Sequence, residues 1–373
     1  LKIMKKFITL LFFIEVLMFN YGQCDGRYQT EIFSSVSVST VNYSDAFTDT
    51  YHEMDIYIPD GDTATNRPVI LYMHGGSFYA GDKNLTDCVD FCTSYAKRGY
   101  VAMSVNYRLS ASAFTFALST EEQYRTVLKA VSDIKAAIRY VRKDHDNGNS
   151  LGIHPQGIFI GGYSAGAVLA IHLAYIDQIS DLPTSPVNVQ NLVSEIGGDL
   201  EGDAGNDGYS SEISGIVSFA GGINDLAWID SNDEPIVFIH GTGDVTVNYN
   251  CGPGTNLATV LNLCGMNAMK PVADSEGVLN DTMIYTGEGH DWAASGNGNP
   301  LFTQAVDFAS DFLYPLLPCN NPNVGIVNRE VEVKQFPNPA IDYVHYETSD
   351  LVKEVVVYNQ MGQMLTRIDI NDN

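Results

Sequence analysis

Positive charge is scarce in this chain. Its 373 residues hold 20 Lys and Arg against 45 Asp and Glu, a formal net charge of −25. Phosphate-rich partners need clustered Lys and Arg, so neither nucleic acid nor an anionic membrane surface is expected as a partner. A long hydrophobic span is missing too. The apolar run from Phe7 to Phe19 contains Glu15 and is shorter than the roughly 20 residues a stable bilayer span requires. Lysines precede that run and small and polar residues follow it, the pattern of an export signal over residues 1–23. Cys24 comes next, but Gln23 is a poor residue before a lipid-modified cysteine.

Metal-ligand spacing is also lacking. No histidine cluster accompanies the cysteines. The "DLEGDAGNDG" tract does not have the carboxylate and glycine spacing of an EF-hand, and a solvated acidic loop is expected there. No metal or organic cofactor is therefore expected. The six cysteines are Cys24, Cys88, Cys92, Cys251, Cys264 and Cys319. An even number beyond an export signal points to disulfides, with Cys251 and Cys264 the favoured pair. Cys88 and Cys92 are four apart, share a helix face and are poorly placed to bond.

What the chain does have is a repeating α/β rhythm. Residues 31–58 read as antiparallel strand material, with alternation clearest in "MDIYIPD". From Pro68 onward come short continuous apolar runs: "PVILYMHGG", "GYVAMSVNYRL", "GIFIGGYS", "SGIVSFAGG", "PIVFIHGTGD" and "DTMIYTGEGH". Runs without alternation suit strands buried on both faces. Helical patterns lie between them, over roughly 84–97, 121–145, 165–177, 255–265 and 301–316. The predicted fold is α/β, a mostly parallel central sheet with helices on both faces. Residues 178–214, rich in Gly, Pro, Asn and Asp, break the rhythm and are expected to be an insertion capping one end of the sheet. The main domain is predicted over 24–317, followed by a linker at 318–327 and a small β-rich module at 328–373.

The chemistry gathers at the ends of the apolar runs. Gly162-Tyr163-Ser164-Ala165-Gly166 sits between a buried strand and an alanine-rich helix. A G-x-S-x-G turn there lifts the serine hydroxyl clear of the sheet, and its glycines avoid collision with neighbouring backbone. The pattern alone is weak, because it is common by chance; its strand–turn–helix context carries the weight. "HGGSF" (74–78) follows the first buried strand, so the amides at Gly75 and Gly76, with that of Ala165, are placed to hold an oxyanion. Asp244 ends the strand of "HGTGD" and His290 sits in the loop "GEGHDW". The order Ser, Asp, His is the one expected of such a sheet. Asp225 and Glu288 compete less well for the acid role. His74 and His240 open glycine turns and read as structural.

These motifs resemble the α/β-hydrolase superfamily, and more narrowly its carboxylesterase branch of hormone-sensitive-lipase-like and feruloyl-esterase-like enzymes, over about residues 50–317. The resemblance implies an α/β-hydrolase fold with Ser164 as nucleophile, Asp244 as acid and His290 as base. It also implies an oxyanion hole at Gly75, Gly76 and Ala165. Ser77 departs from the pattern, since many relatives carry a third glycine there. The tail "FPNPAIDYVHY…VVVYNQMGQML" resembles part of the C-terminal sorting domain of the type IX secretion system of Bacteroidetes. That likeness implies export through the periplasm, type IX machinery as a partner, and a secreted or cell-surface location.

The expected function is a secreted serine carboxylic-ester hydrolase acting on short-chain or aryl esters, feruloyl or acetyl, small or polymer-borne. Two other readings remain open: a serine exopeptidase of the same superfamily, and a non-catalytic binding protein on the scaffold. The pocket walls are expected from residues 178–214 and 110–120. Phe78, Tyr79, Phe114, Phe116 and Trp292 are candidates to line an acyl or aryl pocket or to fill the core.

Overall fold

The structure is a computed structural model; it describes Cys24, residues 26–320, and the backbone of four short strands beyond them. The expected export signal lies outside the described residues. Two compact units divide between Val324 and Gly325.

In the larger unit eight strands form one sheet. They are β1 (Val36–Asn42), β2 (Glu53–Pro59), β3 (Arg67–Met73), β4 (Val101–Val105), β5 (Ile153–Tyr163), β6 (Ile216–Phe219), β8 (Ile236–Gly241) and β11 (Asn280–Tyr285). Their spatial order is β1-β2-β4-β3-β5-β6-β8-β11. The β1–β2 and β2–β4 pairs are antiparallel and all later pairs parallel. Parallel strands need crossovers, and these are α1 (Thr86–Lys97), α3 (Thr120–Asp146), α4 (Ala165–Tyr175) and α6 (Met266–Glu276). Short α2 (Ala113–Leu118) and α5 (Val189–Leu192) lie in connections, and α7 (Pro300–Leu313) closes the unit. A small antiparallel sheet joins β7 (Gly222–Ile223), β10 (Asn262–Gly265) and β9 (Cys251–Pro253).

The apolar runs have the physical reason expected of them. Along β3, Val69, Leu71 and Met73 enter one core with α3 and α4, while Ile70 and Tyr72 enter a second core with α1 and α7. Every β3 residue is buried. Strand geometry sends successive side chains to opposite faces, so covering both faces demands an uninterrupted apolar run. Helix α3 is different: it is amphipathic, started by the Ser119 hydroxyl accepting from the Glu122 amide. Helix α4 is buried along all eleven residues, which explains its Ala-rich sequence.

Two expectations need correction. The helix read at 255–265 is a 3₁₀ turn (Gly254–Asn256) followed by β10, and the helix starts only at Met266. The insertion at 178–214 is pinned against α3 and its surroundings by charge. Arg125 Nε bonds Glu195 at 2.7 Å, Lys135 Nζ bonds Glu201 at 3.0 Å, and Arg108 Nη2 bonds Asp203 at 2.6 Å. Its acidic residues answer these cations, which gives the acidic tract a role without calcium.

Cys251 and Cys264 form the expected disulfide. A second joins Cys24 to Cys319 across 295 residues, bringing a cysteine from the expected linker back to the start of the described chain. Cys88 and Cys92 are free and buried. Cross-linking so long a loop restricts the unfolded chain strongly. Replacing Cys24 and Cys319 together by Ser is expected to lower stability by about 2–5 kcal/mol, read from denaturant midpoints of the purified pair.

Asp87 sits 2% exposed on α1 among aromatic side chains. Burial pushes its carboxyl up to about 7, against partial relief from hydrogen bonds by its own and the Cys88 amide. A carboxyl whose folded pKa is raised favours the folded state while protonated, so its contribution is full below about pH 4 and is lost as pH rises toward 7. Asp87→Asn is expected to flatten the stability–pH curve between pH 4 and 7 and to stabilise the protein at pH 8. An unchanged slope in urea titrations across that range would refute it.

The second unit holds two antiparallel pairs, Lys334–Phe336 with His345–Glu347 and Glu354–Tyr358 with Met364–Asp369. The strand character expected of the tail is present.

Candidate active site

At the end of β5 the chain turns sharply into α4, and Ser164 occupies the turn with φ 56° and ψ −121°. For a residue with a Cβ this backbone costs about 1–3 kcal/mol and persists only because its surroundings hold it. The Ser164 amide donates to Phe219 O at 2.9 Å, which fixes the turn to β6. The flanking glycines have a steric reason. A Cβ at Gly162 would lie 2.4 Å from the Gly166 carbonyl carbon, and one at Gly166 would lie 2.0 Å from Met73 O.

The loops after β8 and β11 bring two more groups to this turn. The Ser164 hydroxyl donates to His290 Nε2 at 2.7 Å, and His290 Nδ1 donates to Asp244 Oδ2 at 2.7 Å. Tyr163 holds the imidazole from the side: its hydroxyl donates to His290 O at 3.1 Å and its ring stacks at 5.2 Å. Asp244 is 2% exposed, and its other oxygen accepts from the Thr246 and Val247 amides at 2.8 and 3.0 Å. Burial alone would raise its pKa, but hydrogen bonds and charge from His240 and His290 outweigh that and hold it down at about 2. The three residues named from the sequence therefore meet in one hydrogen-bonded line.

The glycine loop after β3 lies beside them. Gly75 approaches so closely that a Cβ there would come 3.4 Å from Ser164 Cβ. Gly76 has φ 118°, and a Cβ there would sit 2.0 Å from Ala80 O. Its carbonyl accepts from the Tyr79 and Ala80 amides, which turns the loop back on itself. Ser77 follows at φ 53°. That is left-handed backbone, which glycine adopts more readily than serine. Ala165 is the first residue of α4, where backbone N–H groups have no partner inside the helix.

A narrow cleft opens at the serine, with a cavity volume of about 60 Å³. Ser164 and Ala165 line it together with Phe78, Phe116, Gln123, Val127, Val168, Val260 and Leu263. A further part of its lining, Gly254, Thr255, Val260, Leu261 and Leu263, comes from the segment between Cys251 and Cys264. No residue of 178–214 contributes, contrary to expectation. Of the candidate aromatics, Phe78 and Phe116 line the cleft and stack at 6.0 Å, with Tyr79 packed behind Phe116. Phe114 is 74% exposed, and Trp292 is buried in the core on the other face of the sheet.

Asp225 accepts from the Ala227 amide as a cap and takes no part in the line. His240 is the member the sequence reading passed over as structural. Its Nε2 lies 3.0 Å from Val247 O and 3.2 Å from Asp244 Oδ2. The signal that locates it is its position four residues before Asp244 in "HGTGD", with a turn between them. Asp177, Asp230 and Asp233 come close enough together to share a cation, but they belong to neither the cleft nor the hydrogen-bonded line. A hydroxyl, an imidazole and a buried carboxylate in this order can generate an alkoxide-like nucleophile at neutral pH.

A mostly parallel sheet, a strained serine between strand and helix, and a histidine and acid on later loops define an α/β-hydrolase. The chain belongs to the BD-FAE family, an esterase family of that fold, whose model matches residues 54–256. Among curated relatives it is 32% identical over 116 residues to a neuroligin-like protein of Caenorhabditis elegans, covering 31% of this chain and 14% of that one. It is 31% identical over 117 residues to the para-nitrobenzyl esterase of Bacillus subtilis, covering 31% and 22%. The chain thus spans less than a quarter of either relative's length. Thermogutta terrifontis esterase 2, solved phosphonylated by sarin, shares the fold with a TM-score of 0.53 and 20% identity over 74% of this chain and 94% of that one.

Proposed function

We propose that the protein is a secreted serine carboxylic-ester hydrolase acting on short-chain or aryl esters, including acetyl or feruloyl groups carried on polymers. The observation that carries this reading is the unbroken hydrogen-bonded line from Ser164 through His290 to Asp244, opening into the apolar cleft. His290 Nε2 takes the proton as Ser164 Oγ attacks the ester carbonyl, and Asp244 stabilises the imidazolium through Nδ1. The amides of Gly75, Gly76 and Ala165 hold the tetrahedral oxyanion. His290 then protonates the leaving alcohol, and a water repeats the attack to free the acid and Ser164.

Cavity size supports a short acyl group. The cleft beside Ser164 is small, about 60 Å³, and lined mostly by apolar side chains, which favours a compact group over a long fatty chain. The chain is exported through the periplasm, and residues 328–373 engage the type IX secretion machinery. Two disulfides support an oxidising destination.

The test is a panel of p-nitrophenyl esters from acetate to palmitate, with methyl ferulate alongside. Serine-dependent cleavage that falls steeply beyond butyrate is expected. Inertness toward every ester, together with cleavage of dipeptide anilides, would favour the exopeptidase reading. Inertness toward both would leave the binding-protein reading.

A further inference from the structure

Gln123 lies in the first turn of α3, 1% exposed, and lines the cleft itself, though it belongs neither to the hydrogen-bonded line nor to the oxyanion loop. Its carboxamide makes three hydrogen bonds, all to backbone. Nε2 donates to Phe116 O at 2.9 Å and to Thr259 O at 3.0 Å, while Oε1 accepts from the Leu261 amide at 2.8 Å. Both segments it grips face the cleft: Phe116 from α2, and Val260, Leu261 and Leu263 from the loop closed by Cys251 and Cys264.

The tip of that loop is otherwise held by backbone bonds: the Thr255 amide donates to Thr246 O at 2.7 Å and the Gly254 amide to Leu261 O at 2.9 Å. Residues 256–259 are exposed, and Thr255 and Asn256 sit at φ 53° and 54°. Its base is fastened separately. The disulfide closes it, and Asn224 Nδ2 donates to Asn262 O at 2.7 Å, with Asn224 Oδ1 facing His172 Nε2. Removing the carboxamide therefore cuts the tip's tether to α2 and α3 and leaves the base in place. It would also leave the Thr259 carbonyl and the Leu261 amide without this partner, which drives both toward water.

We infer that Gln123 is a positioning residue that sets acyl-chain selectivity, holding α2 and the disulfide-closed loop at the separation that admits a short acyl group. The inference rests on the ester-hydrolase reading above. Gln123→Met keeps the side-chain length and removes all three bonds. Gln123→Glu keeps the acceptor for Leu261 and, when ionised, removes both donors.

The experiment measures kcat and KM for p-nitrophenyl acetate, butyrate and octanoate on wild type and both variants, with a pH profile for each. For Gln123→Met the octanoate-to-acetate ratio of kcat/KM is expected to rise by about tenfold or more, since one methylene alone discriminates by roughly 10-fold to 200-fold. The acetate loss is expected mainly in KM, with the shape of the kcat pH profile unchanged. A merely structural role would lower all three esters in proportion. Ratios in both variants that match wild type would overturn the inference. If Gln123→Met fails to fold, the ratio in Gln123→Glu decides by the same criterion. A wild type without serine-dependent ester cleavage would instead overturn the ester-hydrolase reading itself.

Discussion

Ser164→Ala is expected to lower kcat on p-nitrophenyl acetate by about five to six orders of magnitude, with the fold unchanged. In the proposed mechanism the hydroxyl is the atom that forms the acyl-enzyme, and among the described residues no other nucleophile is placed at the His290 Nε2 position. A residual rate about 10³-fold to 10⁴-fold above water would remain, because the oxyanion amides and the cleft are untouched. Stability should change little. Alanine also carries a Cβ, so the cost of the backbone at φ 56° is the same in both proteins. Circular dichroism and the thermal midpoint check the fold, and active-site titration of wild type guards against contamination of the mutant. Retention of more than about a hundredth of the wild-type rate, against the loss expected from removing a nucleophile, would remove Ser164 from the mechanism.

Asp244→Asn is expected to cost about 10⁴-fold in kcat, for a different reason. The Thr246 and Val247 amides both donate to one side-chain oxygen of residue 244. They would fix the carboxamide with its oxygen toward them and its NH₂ toward His290. That NH₂ donates to Nδ1, so the proton moves to Nε2, which then donates to Ser164 and cannot accept its proton. The same substitution reports on acid stability. With the Asp244 pKa depressed to about 2, the carboxylate contributes stability in full above about pH 4 and loses it as pH falls toward 2. Asp244→Asn lacks this contribution, so its unfolding curve should fall less steeply than wild type between pH 4 and 2. Parallel acid-unfolding curves would show that Asp244 is not the stabilised carboxylate, whatever the kinetic result.

How much of this was legible in the sequence follows from the range of the interactions involved. The strand–turn–helix around Ser164 is local, and the apolar runs on either side of it announce a sheet covered on both faces. Asp244 and His290 were readable because each follows a strand, the buried β8 and the half-exposed edge strand β11, and strand ends in such a sheet point to one edge. The wall of the cleft was not readable. Leu257, Val260 and Leu261 have the three- and four-residue spacing of a helix face. Their backbone is instead set by the ladder of β9 with β10, the disulfide, and Gln123 more than 130 residues away. Long-range bonds of that kind override local periodicity.

The insertion failed for a related reason. Gly, Asn and Asp over 178–214 fit a cap above the cleft as well as a surface loop. The choice is made by Arg108, Arg125 and Lys135, which hold it to one side. The Cys24–Cys319 bridge leaves no local trace either, since nothing near either cysteine names the other. His240 was visible as a residue but not as a partner of Asp244, because the turn between them brings its Nε2 within reach only in the folded chain.

The most direct test of the central claim is covalent. Wild type treated with diethyl p-nitrophenyl phosphate, digested and analysed by mass spectrometry, should carry one diethylphosphoryl group, on the peptide containing Ser164. Its esterase activity should disappear in step with labelling, and Ser164→Ala should take up none. Labelling elsewhere, or full activity after stoichiometric labelling of Ser164, would contradict the assignment of this serine as the nucleophile.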